Sequence, residues 1–261
     1  MTYAIALNNA DKKPAKLERA VFHAALAISY ISVIYLISVY IVGYSWIPFI
    51  SVEIASSELT LSLLQCLLGA AALHVPMLLK KLTKIRFPDV LCSCFYVFVL
   101  CGTVLGEVFS LYYRVSFWDS LLHFGSGIMC GMLGSILLVN FLRNKKCTRL
   151  ITPMFIAAGA VCFSICIGVF WEIYEFAGDS ILGLNMQKCF LEDGTALMGQ
   201  AGLLDTMKDL MLDTFGAVAA AVSSFLSLKR HKGWLSFYLI DEVKEPSGEL
   251  KIEKQVLKYS A

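Results

Sequence analysis

Three stretches of this 261-residue chain carry ionisable side chains inside otherwise apolar sequence. The first, WDSLLHFGSGIMCGMLG (118–134), sets Asp119 and His123 four residues apart, on one face of a helix. The second, WEIYEF (171–176), sets Glu172 and Glu175 three apart, again on one face. The third, DTMKDLMLD (205–213), repeats an acid every fourth residue at Asp205, Asp209 and Asp213. Carboxylates and an imidazole are general acids and bases, proton carriers and ligands for hard or borderline metals. Inside an apolar span such groups are costly, which marks them as functional-site candidates.

With Glu107, these stretches hold seven acids, and the nearby cations are His123, Arg114 and Lys208. A cluster so unbalanced holds protons or binds a cation. Its donors suit a divalent metal (Mg, Mn, Fe or Zn) better than a thiol-seeking one. The reading places His123, Glu172, Asp209 and Asp213 as metal ligands and Glu175 or Asp205 as general base. Glu107, Asp119 and Lys208 complete the polar site. Glu-x-x-Glu with a separate Asp-x-x-x-His only partly matches the Glu-x-x-His pairs of di-metal helical bundles. Structural roles compete with this reading. Asp119 and Asp205 suit helix N-termini, and Glu175 suits a solvated interface. His123 suits a hydrogen bond to a neighbouring helix. Glu172, Asp209 and Asp213 suit ion pairs with Lys208 or Arg114.

The elements that must position these groups are membrane helices. The chain is 58% hydrophobic and 16% charged, whereas soluble domains carry roughly a quarter charged residues. Six windows are long and apolar enough to cross a bilayer: 21–44, 59–79, 90–112, 118–142, 150–176 and 205–228. The fold class predicted is all-α, a polytopic bundle of six transmembrane helices over 1–232, followed by a soluble tail over 233–261. The first apolar run, after Lys12, Lys13, Lys16 and Arg19, is too long for a cleaved signal peptide.

Lys and Arg set the orientation. Four lie before the first span and four in the second loop (Lys80, Lys81, Lys84, Arg86). Four more lie in the fourth loop (Arg143, Lys145, Lys146, Arg149), and three follow the sixth span (Lys229, Arg230, Lys232). The opposite loops hold Arg114 and Lys188. Both termini are therefore expected in the cytoplasm. His123, Glu107, Glu172 and Asp209 then lie roughly 6–8 Å below the outer boundary, by helix rise.

Other features read as scaffold. Seven of the nine cysteines lie in apolar runs as small hydrophobes, and Cys189 falls in a long outer connection over 177–204. That connection reads equally as a lid or a linker. Gly125, Gly127, Gly131 and Gly134 suit close helix packing. Trp118, Trp171, Tyr112 and Tyr113 suit an outer aromatic belt, and Trp234, Phe237 and Tyr238 an inner one. His23 and His74 read as structural, and His231 lies in a basic juxtamembrane run. The net charge of +2 implies no attraction to nucleic acid.

WDSLLHFGSGIMCGMLG, FWEIYEF and DTMKDLMLDTFGA together resemble the YjdF-type family of uncharacterised bacterial inner-membrane proteins. The likeness covers about 118–217 and implies a multi-pass protein of the bacterial cytoplasmic membrane. More distantly, the order of acid–His helix, glutamate-bearing helix end and Asp-led last helix is similar to VanZ-like proteins. That similarity implies an envelope or glycopeptide-resistance role. Three functions fit the residues: a metal-dependent enzyme acting on membrane lipids or lipid-linked envelope substrates, a cation- or proton-coupled transporter, or a non-catalytic membrane factor. Six spans are few for a transporter unless the protein oligomerises.

Overall fold

The computed structural model describes residues 16–43, 56–83, 85, 87–191, 194–230, 233–235, 241–244 and 250–253. Lys12, Lys13, Lys84, Arg86, His231, Lys232, Phe237 and Tyr238 lie outside the described residues. The helices in chain order are α1 (Lys16–Val42), α2 (Ser56–Ala72), α3 (Val75–Thr83), α4 (Asp89–Leu100), α5 (Leu111–Arg114), α6 (Trp118–Asn144), α7 (Pro153–Leu182) and α8 (Gln200–Lys229). α2 and α3 together make one span, and a π-helical turn, Cys101–Val108, extends α4 into another. Six helical segments are thus long and apolar enough to cross a membrane. In the tail, β1 (Asp241–Lys244) pairs antiparallel with β2 (Leu250–Glu253), so the all-helical character belongs to the membrane region.

Several boundaries differ from those expected, each for a local reason. The second span is not continuous: Pro76 lacks the N–H that would bond to Ala72, and the helix breaks at a turn over Leu73 and His74. The third ends at Val108 rather than Tyr112. Ser110 adopts the left-handed conformation (φ 57°) and turns the chain into α5. α7 runs to Leu182, where Gly183 closes it at φ 67° with its N–H on Asp179 O. α8 begins at Gln200 after Gly199. The connection between them is therefore 183–199, shorter than the 177–204 expected, and Asp205 lies more than a turn inside α8 rather than at its start. α7 opens with Pro153 and with Thr152 Oγ1 accepting from Phe155 N at 3.3 Å.

α6, α7 and α8 pack on one another as the most extensive unit, and α1, α2 and α4 form a second group beside it. Small residues bring α6 and α8 together. A Cβ on Gly127 would collide with the backbone of Asp213, and one on Gly216 with the backbone of Phe124 and Gly127. Further along the crossing, Gly131 meets Ala217 and Ala220. Beyond that, Ser135 and Ser224 share a buried hydrogen bond at 2.8 Å. Packing contacts and such interhelical bonds drive association where lipid is as apolar as the side chains. Among the described residues, the two histidines outside this unit are exposed and each meets the Phe22 ring edge-on, His74 at 5.6 Å and His23 at 5.2 Å.

Candidate metal centre

α6 delivers Asp119 and His123 to the α6–α7–α8 unit near its Trp118 end, and the Gly127–Gly216 approach presses α8 against the imidazole. His123 is buried, as are Glu172, Glu175, Asp209 and Asp213. Its Nε2 faces two carboxylates, Asp119 Oδ1 at 3.7 Å and Asp209 Oδ2 at 3.9 Å. Its Nδ1 faces a third, Asp213 Oδ2, at 3.4 Å. Ser126 Oγ lies 2.6 Å from Asp213 Oδ1 and 2.7 Å from His123 O. Gly168 of α7 leaves the space Asp213 fills, since a Cβ there would sit 2.5 Å from Asp213 Oδ2.

Asp119, His123 and Asp209 each offer one ligand atom, and the three atoms lie within 4.8 Å of one another. This trio shares His123 and Asp209 with the ligand set read from the sequence. Asp119 takes a place beside them. Asp213 lies on the far side of the imidazole, where a carboxylate fixes tautomer and ring orientation. Asp209 is 1% exposed and its Oδ1 has no hydrogen-bond partner. An unpaired buried carboxylate oxygen carries a full desolvation cost, so a cation or proton at this point is favoured.

The other expected residues surround this centre. Glu172 is buried with Oε1 unpartnered, while its Oε2 lies 3.5 Å from Gln187 Nε2. Glu175 accepts from the Trp171 indole N–H at 2.8 Å, so Trp171 is more than a belt residue. Asp205 pairs with Lys188 Nζ at 3.1 Å. Asp119 also pairs closely with Lys188, through Oδ2. Asp119 lies in the first turn of α6, behind its N-cap Phe117, where an acid complements the helix dipole, whereas Asp205 lies too deep in α8 to serve its N-terminus. Lys208 is half-buried and joins no ion pair among the described residues. Lys188 is a cation of the site that the sequence reading did not assign, and its partners are Asp119 and Asp205 rather than the Glu172, Asp209 and Asp213 for which that reading invoked Lys208 or Arg114. Glu107 lies on the π-helical turn, outside the His123 ion pairs. Near it is Tyr112, whose ring lies over Gly106. Burial pushes the Tyr112 phenol well above its usual range, and the nearby Glu107, Asp119 and Glu175 add to that.

The spacing of the sequence does not mark Lys188, Gln187 or Ser126, and it marks Tyr112 only as a belt residue. Lys188 offered one signal, a lone lysine in a loop between acid-bearing spans. Asp179 holds that loop segment, its carboxylate accepting from Met186 N at 2.7 Å and Gln187 N at 3.0 Å. All nine cysteines are free thiols.

The fold and site define a six-span helical membrane protein with a candidate Asp–His–Asp centre, buried at His123 and Asp209 and part-exposed at Asp119. The chain belongs to the family described as Predicted membrane protein (DUF2238), whose model matches residues 24–230. It is similar to an uncharacterised protein of Thermotoga maritima, 32% identical over 152 residues, which cover 56% of this chain and 67% of that protein. No solved structure matches.

Proposed function

We propose that the protein is a metal-dependent membrane enzyme whose centre is Asp119, His123 and Asp209, acting on lipid or lipid-linked envelope substrates. The observation that carries this is the Asp209 carboxylate, fully buried with an unpartnered oxygen beside two further donors within ligand range. A divalent ion held there would polarise a phosphoryl or acyl oxygen and lower the pKa of water. Around it, six carboxylates (Asp119, Glu172, Glu175, Asp205, Asp209, Asp213) face two cationic groups, Lys188 and His123, in the described site. A divalent cation reduces that imbalance.

The chain's own groups divide the remaining work. Asp213 receives the Nδ1 side of His123 and leaves Nε2 to face the centre. Asp205 is engaged by Lys188 and Glu175 by Trp171, which leaves Glu172, with a free Oε1, the best-placed proton acceptor. The Lys/Arg distribution supports a site at the outer face of the bacterial cytoplasmic membrane, with both termini inside. The distant VanZ-like similarity of the sequence favours an envelope role by analogy. At that face the accessible substrates are lipid headgroups and lipid-linked precursors.

Metal content of the purified protein, measured by mass spectrometry beside His123→Ala of equal folding quality, tests this. Stoichiometric metal that disappears in the variant is expected. Absence of metal from both, in preparations made without chelator and then supplied with Mn or Zn, would leave a proton-sharing carboxylate cluster and remove the enzyme reading.

A further inference from the structure

The connection between α7 and α8 does more than join them. Lys188 reaches from it to Asp119 on α6 and Asp205 on α8. Its neighbour Gln187 reaches Glu172 on α7 and Thr206 on α8, the latter at 2.9 Å. Two adjacent residues thus tie the site ends of all three helices. Lys188 is also the exposed member of the group: its side chain is 43% exposed, against 17% for Asp119, 14% for Asp205 and 2% for Asp209. It lies between solvent and the buried donors. The carboxylate it holds most closely, Asp119, is the one that offers its other oxygen to the centre.

We propose that Lys188 is a tethered cation that closes the centre, and that a divalent metal ion competes with it for Asp119. This rests on the metal reading above. An ammonium and a divalent ion that share a carboxylate repel, and one charge replaces the other most readily if the lysine can swing into water. Its exposure and its place on a loop allow that. The residues that fasten the segment are short-range: Asp179 on Met186 and Gln187, Asn185 on Phe190, and the Phe190–Ala196 bridge. They hold the strap in shape while Lys188 and Gln187 make its releasable contacts.

Cys189 provides an internal reporter. Its thiol points at Gly202 O (3.6 Å) on α8, and burial, with Asp179 and Asp205 nearby, pushes its pKa up. With the strap closed it reacts slowly with a maleimide, because the thiolate is the reactive form.

The test uses the full-length protein in detergent, Mn2+ as the probe, and paramagnetic-resonance titration. Lys188→Met is expected to bind Mn2+ at least about tenfold more tightly than wild type, since a unit charge a few ångström from the ion has gone. Adding His123→Ala to it should abolish the gain. In wild type, Mn2+ should speed maleimide labelling of Cys189, read by peptide mass spectrometry. In Lys188→Met, labelling should be fast with or without Mn2+. Mn2+ binding by Lys188→Met as weak as, or weaker than, wild type, with His123→Ala still abolishing binding, would overturn the strap and keep the metal centre. Mn2+ binding in neither protein would overturn both.

Discussion

Asp213 faces the Nδ1 side of His123 at 3.4 Å, on the opposite edge of the imidazole from Asp119 and Asp209. One carboxylate therefore orients the ring while two share its other nitrogen with the space a cation would occupy. The stripe of three aspartates on α8 is split in placement by this geometry. Asp209 faces the centre, Asp213 backs the histidine, and Asp205 pairs with the loop lysine.

If Asp213 orients the imidazole, Asp213→Asn will leave the protein folded and weaken metal binding by about 10–100-fold, the cost of losing an outer partner of a ligating histidine. Mn2+ titration beside a thermal melt checks this. Unchanged binding would return Asp213 to a purely structural role.

The Gly127–Gly216 contact sets the spacing of α6 and α8, because any Cβ there meets backbone rather than a movable side chain. Gly216→Ala should destabilise by about 1–3 kcal/mol, as overpacking does, and lower the melting temperature in detergent. Gly125→Ala, on the partner helix α6 with nothing near its would-be Cβ, is the control and should melt no lower than wild type.

The Ser135–Ser224 bond joins the same two helices further from the site. A double-mutant cycle to alanine should give a coupling of about 0.6 kcal/mol, the average for interhelical hydrogen bonds in a membrane protein. Loss of Mn2+ binding in either single variant would show that this end also shapes the centre.

The orientation rests on loop charge and is open to direct labelling. A membrane-impermeant thiol reagent on intact cells should label Ser180→Cys, and Asn144→Cys only after permeabilisation, with each site read by peptide mass. The reverse pattern would place the centre on the cytoplasmic side and replace lipid-linked envelope precursors with cytoplasmic-leaflet substrates.

Much of this protein was legible in its sequence, for a reason of scale. Hydropathy over about 20 residues and the side-chain period of a helix are local properties, so six spans and the shared faces of Asp119 with His123 and of Asp205, Asp209 and Asp213 follow from the order of residues. The ends of α7 and α8 nearest the site did not, because Gly178, Asp179 and Ser180 on one and Gln200 and Gly202 on the other weaken the helical and apolar signal while the backbone remains helical. The tertiary structure alone decided which carboxylate meets which nitrogen. That choice depends on the rotation and spacing of neighbouring helices, set by contacts such as Gly127 with Gly216 and the space left at Gly168. It also brought in Lys188, 69 residues from Asp119 along the chain. A loop has no period to read, and only the folded path between α7 and α8 lays that lysine across the acids.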